Sequence, residues 1–547
     1  MTAKSRCTSA AAIALLLTFV SAVSAQETHS HRPGQQLGEV SFANSGARAA
    51  QEPFQRGLAL LHSFEYEEAG EAFRAAQKAD PDFAMAYWAE AFTYTHPLWG
   101  QDDAEAARAV LQRLGTTRGA RLQKAGTDRE RAYGAAIESF YANADLPIRV
   151  QAFAAGMRTV LQQYPDDIDA IAFTSLASML VDYLGGGPPA ERRAARDQAI
   201  TLAERVFQKN PQHPGGTHYL IHATDDPEFA ARGLDAARTY ARIASDAEHA
   251  LHMPSHIFLQ LGLWNDVVAS NERAWAASRA EVIERKLSNA DLSFHALQWL
   301  QYGYLQQGRY NAAAALIDTA RTVLTGVNLD SLPYPDARHV IAQLEFMQWS
   351  HTGRWRLRTC AGEPSKARPA TSDRERGQQT LEFQNRAIAS AYCGNPDAPN
   401  LVALRQRLEG LAESDPMRRS LANTLVHVNA VLAQTAGDYA RVIELLTPVI
   451  TAPPRPPVGP PGLPRTFELF GEALLKSGRA GEAVTAYERA LQLTPKRSEA
   501  LLGLARARAA AGDAAGATAT YRQLVVNWER ADRGVAAVAE ARKGSQE

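Results

Sequence analysis

Apolar and small residues recur three and four apart along most of this chain, in short runs closed by a glycine and a polar turn. That spacing is the helical period, whereas a half-buried strand would alternate every second residue. In "FELFGEALLKSGRAGEAVTAYERALQLTP" (467–495) one run stops at Gly478 and the next carries Ala483 and Tyr487. The pattern predicts two helices folded back on one another across the glycine. It returns one period later, where Gly512, Ala517 and Tyr521 take the same three places. Near the start, "FQRGLALLHSFEYEEAGEAFRAAQKADP" repeats it with Gly57, Ala69, Phe73, Ala76 and Pro81. In the middle, "LGLWNDVVASNERA" aligns without a gap on "SGRAGEAVTAYERA", matching Gly262 to Gly478, Glu272 to Glu488 and Arg273 to Arg489. Looser copies surround Gly308 and Gly437. The step from Gly478 to Gly512 is the length of a helix-turn-helix unit that buries its apolar face only by stacking on its neighbours.

The spacing of small and aromatic residues resembles the tetratricopeptide repeat. In that family a small residue at the eighth position, here Gly471, lets the paired helices approach, and a proline such as Pro495 closes the unit. The resemblance runs from about residue 50 to 530 and is poorest at 115–135 and 356–385. It implies an all-α fold, a right-handed α-solenoid of stacked helix-turn-helix repeats. It also implies a concave groove that binds a protein or peptide partner. The expected organisation is a signal peptide (1–25), a disordered segment (26–48) and a first array with the histidine cluster (49–355). An irregular segment (356–385), further helical repeats (386–451), a proline-rich linker (452–464) and a C-terminal repeat pair (465–535) follow.

The start of the chain changes the picture of where this array works. "MTAKSRCTSAAAIALLLTFVSAVSAQ" has a charged beginning at Lys4 and Arg6, an apolar run from Ala10 to Val20 and small residues at Val23-Ser24-Ala25. This is the form of a secretory signal cleaved after Ala25, and it predicts a periplasmic or secreted protein. The apolar run is too short to span a bilayer comfortably, and no later stretch is apolar enough to do so. Mature Cys360 and Cys393 then form a disulfide or stay as two thiols, and the sequence leaves both readings open. Lys+Arg 58 against Asp+Glu 59 gives a net charge of −1, so nothing points to nucleic acid as a partner.

Candidate chemistry is concentrated in histidine. His218 and His252 stand one repeat period apart, as do His222 and His256, and His62 and His96. Counted by the family's repeat positions, these pairs take the fifth, ninth and thirteenth places, while His249 and His295 take the second. Places separated by three and four fall on one helix face, which in repeats of this kind lines the groove. His218, His222, His249, His252, His256 and His295 are therefore candidate ligands of a transition metal, copper, iron or zinc. An HxxxH pair can chelate one ion, and neighbouring helices pack about 8–10 Å apart, close enough for rings of successive repeats to meet. Asp225, Asp226, Glu248 and Asp291 are candidates to support them. Further groove candidates are His62, His96, Trp88 and Phe92. Pro254, between His252 and His256, either kinks a continuous helix, which the match to "HYLIH" favours, or opens a new helix with His249 and His252 in the preceding turn. His213 sits in a turn before Pro214, and His339, His351 and His427 read as structural or exposed.

No phosphate-binding glycine loop, nucleophile elbow or paired-cysteine zinc motif occurs, so no nucleotide cofactor is expected. Two functions remain open. One is an exported scaffold that holds a protein or peptide, with a histidine-bound metal in the groove. The other is a metal-dependent oxidoreductase on the same solenoid, since six histidines suffice for two three-histidine centres.

Overall fold

The repeat unit is closed by one backbone device, and it explains the periodic glycines. In a computed structural model, Gly262, Gly308, Gly437, Gly478 and Gly512 stand at φ between +62° and +86°. The residue after each donates its N–H to the carbonyl five positions back: Leu263 to Phe258, Arg309 to Tyr304, Asp438 to Ala433, Arg479 to Leu474 and Asp513 to Arg508. This satisfies a carbonyl that the helix end would orphan, and glycine enters the left-handed region without a Cβ clash. The eighth-position glycine has a different cause. A Cβ on Gly471 or Gly503 would lie 2.7 or 2.2 Å from the Tyr487 ring wedged between them. The structure describes residues 35–96, 98, 101–329, 335–353, 373–452, 459–460 and 466–546. The expected signal peptide, Trp99 and Cys360 lie outside that set.

The first part of the array runs α1 (Arg48–His62), α2 (Tyr66–Ala79), α3 (Ala84–Phe92), then a small antiparallel hairpin of β1 (Thr95–His96) and β2 (Gln101–Asp102). It continues with α4 (Ala104–Leu114), α5 (Arg118–Gln123), α6 (Asp128–Phe140), α7 (Leu146–Gln163), α8 (Ile168–Leu184) and α9 (Pro189–Lys209). Next come α10 (Pro214–Ala223), α11 (Ala230–Ile243), α12 (Glu248–His252), α13 (Pro254–Gln260) and α14 (Trp264–Glu284). The central part ends with α15 (Phe294–Gln306), α16 (Tyr310–Val323) and α17 (Pro335–Thr352). One apolar core runs unbroken from Leu37 to Tyr302, and a second spans Phe346 to Ala473. Among the described residues no helix is long and apolar enough to cross a membrane.

Four expected boundaries are corrected. Residues 36–47, placed in a disordered tail, form an extended strap. Its Gln36 and Glu39 amides bond to Asp246 and to the Gln212 carbonyl, and Leu37 and Phe42 are buried. Residues 373–385, placed in an irregular segment, belong to a helix from Asp373 to Ala391. The C-terminal pair extends into a further helix, Ala536–Gly544. That pair is not set off by a linker either. It docks on the central repeats through Ser498 to the Gln306 carbonyl, Arg497 to the Tyr302 hydroxyl and Trp264 to the Lys496 carbonyl. Gly459 of the proline-rich stretch packs so close to Trp299 that a Cβ would lie 2.9 Å from the ring. Cys393 is disulfide-bonded, and its partner lies outside the described residues.

His427 sits buried in the second core, where loss of hydration pushes its imidazole down to about 4. A histidine whose folded pKa lies below its unfolded one stabilises the fold above about 6.5, and that stability drains away as pH falls toward 4. His427→Leu should therefore flatten the acid limb of a pH–stability curve. The expected relief at pH 4 is on the order of 3 kcal/mol, read by chemical unfolding. An unchanged acid limb contradicts this.

Candidate metal centre

Six histidines of three successive repeats meet in two groups of three. His218 and His222, one turn apart on α10, join His249 on α12. His252 at the end of α12 and His256 on α13 join His295 on α15. In each group every residue offers a ring nitrogen, and the three lie within 4.8 Å of one another. The groups adjoin: ring centroids of His222 and His256 are 6.0 Å apart, and those of His249 and His252 are 6.3 Å apart. Pro254 opens α13, but Met253 keeps helical angles (φ −53°, ψ −37°), so the chain kinks without leaving the helical path. A new helix does begin at Pro254, but the path stays helical through Met253, as the favoured alternative required, and His252 and His256 face each other.

Hydrogen bonds fix which nitrogen is available in three of the six rings. The Nδ1 of His218 lies 2.6 Å from the His62 carbonyl oxygen, which can only accept, so this nitrogen carries the proton. The Nδ1 of His256 donates to Asp225 at 2.6 Å, and Gln260 holds the other carboxylate oxygen. The Nδ1 of His252 donates to the Asn271 side-chain oxygen at 2.7 Å, an orientation set by the Asn271 amide group donating to the Val267 carbonyl. In each case Nε2 is left as the free end. Yet the Nε2 atoms of His252 and His256 are 3.2 Å apart, and those of His218 and His249 are 3.1 Å apart. His222 Nε2 is buried with no hydrogen-bond partner.

Burial makes these rings poor bases for protons. Loss of hydration pushes His218 down to about 3 and holds His222, His249 and His252 well below the ordinary imidazole range. Neutral imidazole is the form that binds a metal. Between His252 and His256, whose Nδ1 atoms are both committed, two Nε2 lone pairs in such close contact repel unless a cation lies between them, whereas His249 can donate an ordinary N–H to His218. A proton held on one ring would bridge two nitrogens, whereas a metal ion satisfies all three of a group. The tethering of Nδ1 to a carboxylate, amide or carbonyl is the arrangement that orients histidines as metal ligands. An all-nitrogen set with three ligands per ion suits copper, zinc, iron or nickel and leaves each ion an open position.

The site opens on a chamber of about 520 Å³ whose walls include His222, His249, His256 and His295. Phe64 roofs the first group, its ring centroid 4.3 Å from that of His218. It occupies a turn slot that Gly262, Gly308, Gly437, Gly478 and Gly512 fill in other repeats and stands at φ +59°. A left-handed aromatic residue costs on the order of 1–2 kcal/mol.

The six central candidates are thus brought together, and four others are not. Trp88 is fully buried and donates to Glu138, and Phe92 packs on Phe140 and Phe153, so both belong to the core. The helix carrying them ends at Phe92, which puts His96 in the hairpin, stacked on Tyr66 at 3.9 Å. His62 is buried with Asp169 and His213 in a third group, but there each ring nitrogen has a protein partner. His62 bonds to Tyr219 and Asp169, and His213 bonds to Asp169 and the Gly216 amide. That group is a closed polar network and presents no free nitrogen. Of the supporting acids, Asp225 bonds to His256, whereas Asp226 pairs with Arg196 and Asp291 caps a short turn. Asn271 and Phe64 were not anticipated.

The family model of the tetratricopeptide repeat matches residues 474–526, and the same glycine turn recurs upstream. Among solved structures it is similar to the tetratricopeptide domain of P58(IPK), at 12% identity over 91% of this chain and 98% of that one, with a TM-score of 0.20. A monomeric mutant of IFIT1 with Gppp-AAAA gives 11% identity, 85% and 89% coverage and 0.32. Yeast Tom70 gives 11%, 91% and 96%, and 0.24. No curated protein sequence matches the chain.

If Asp225 orients His256, Asp225→Asn should weaken metal binding at the second group about tenfold or more while the first titrates as before. Competition against a chromophoric chelator reads both; equal affinity in the variant contradicts the assignment.

Proposed function

We propose that this protein is an exported tetratricopeptide scaffold that holds a pair of transition-metal ions, with copper the best match, in its two three-histidine groups. The observation that carries the reading is the opposed pair of bare Nε2 atoms on His252 and His256, 3.2 Å apart with both Nδ1 positions already committed. His295 supplies the third nitrogen there, and His218, His222 and His249 repeat the set alongside. Export rests on the form of residues 1–25 and agrees with the disulfide at Cys393.

Of the two uses for such a pair, redox chemistry on a small molecule is better supported than capture of a peptide. The histidines face a chamber of small-molecule size, and two neighbouring one-electron ions can together exchange two electrons with one bound molecule. A protein partner elsewhere along the array remains compatible with this, and the habit of the repeat family favours one.

The mature protein, purified as a chain that begins at Gln26 and loaded with copper, should carry two ions per chain by elemental analysis. His222→Ala with His256→Ala should remove both, while the far-ultraviolet helical signal is kept. Full metal content in that double variant, or no copper in the parent, sinks the proposal.

A further inference from the structure

The two histidine groups differ in what surrounds them. The Phe64 ring centroid lies 4.3 Å from that of His218, 5.6 Å from His222 and 6.0 Å from His249. One side chain therefore meets all three imidazoles of the first group. It is itself buried, and the described wall of the chamber does not include it. His222 and His249 reach that wall, yet the Nε2 of His222 is buried and His218 is 0% exposed. The second group has an aromatic neighbour too, Trp299, at 5.0 Å from His252, 4.3 Å from His256 and 5.7 Å from His295. But Trp299 belongs to the chamber wall, and His295, a helical turn before it, is exposed.

The backbone under Phe64 separates this cover from ordinary core packing. The N–H of Glu65 bonds to the Leu60 carbonyl, five positions back, as the residue after each turn glycine does. The turn is the same device, and glycine would form it without strain. A phenylalanine at φ +59° is held there against its own preference. Strain of this kind persists where the side chain does something that its easier replacement cannot. The rings that Phe64 meets include Tyr66, Tyr219 and the three imidazoles, so its task falls on the first group.

We infer that Phe64 closes the first three-histidine group and leaves the second as the one where an incoming ligand binds. That ligand is a small lone-pair donor, oxygen or nitrogen, which reaches the ion of His252, His256 and His295 from the chamber. The inference rests on the proposed metal pair for what the ligand binds, and on the side chains alone for which group is open.

The cover can be tested without metal. In the metal-free mature chain, diethyl pyrocarbonate labelling read by peptide mass spectrometry should mark His295 readily and leave His218 unmarked. Phe64→Gly and Phe64→Asn, both residues that accept the left-handed turn, should bring His218 up toward the rate of His295. His427, buried in the second core, should stay unmarked throughout as the sign of an intact fold. The ligand side uses azide on copper-loaded variants that keep one group each. His222→Ala, which leaves the second group, should show an azide charge-transfer band. His295→Ala, which leaves the first, should show none until Phe64→Gly is added. Rapid labelling of His218 in the parent, protection of His218 that survives both Phe64 variants, or equal azide bands in His222→Ala and His295→Ala overturns the inference. Protection of His218 without copper uptake would sink the metal pair, and the ligand with it, but not the cover. Two bound ions with His218 open in the parent would sink the cover alone.

Discussion

Everything at the centre of this molecule follows from two imidazoles that cannot turn away from each other. His252 and His256 are a helical turn apart, and each has its Nδ1 proton tied down, one by Asn271 and the other by Asp225. Their remaining nitrogens are then forced to meet, 3.2 Å apart in a buried place. In water such rings would rotate or take up protons. Here packing against Trp299 blocks the first, and loss of hydration, which drives His252 well below its ordinary range, opposes the second. On the metal reading proposed above, lone pairs held together in this way form a preorganised seat for an ion, and the surrounding fold meets the cost of assembling it.

That fold supplies the constraint through repetition. The first helix of each unit presents the same positions to the same side, so α10, the α12–α13 pair and α15 deliver histidines at matching heights. The stack also curves enough for α1 to meet α10, where the carbonyl of His62 fixes the tautomer of His218. Phe64 shows how far this arrangement is enforced. It holds a left-handed backbone conformation that five turns of the array give to glycine, and its ring covers the first histidine group. Strain next to a site points to a role for the ring that glycine cannot fill.

The helical array was legible because the repeat period and its turn glycines each have a single physical cause. The histidine cluster was legible for the same reason, since equal repeat positions point the same way. The thirteenth-position argument failed for His96 because it assumed a helix that ends at Phe92 and gives way to a hairpin. Trp88 and Phe92 share the histidines' positions but not their surroundings, since α6 and α7 close over that side of the array. Asn271 could not be found by spacing, because it reaches His252 from the second helix of a unit. Phe64 could have been: an aromatic residue in a slot reserved for glycine is a visible departure. The joining of the C-terminal pair to α14–α16 was hidden because proline-rich composition says that a segment is extended, not where it leads.

The most direct test of the central claim is metal-edge X-ray absorption on the copper-loaded mature protein. The account predicts a coordination sphere of about three imidazole nitrogens per copper, with a second copper scatterer close by. A sphere dominated by oxygen or sulfur, or isolated copper without a neighbouring metal, would contradict it.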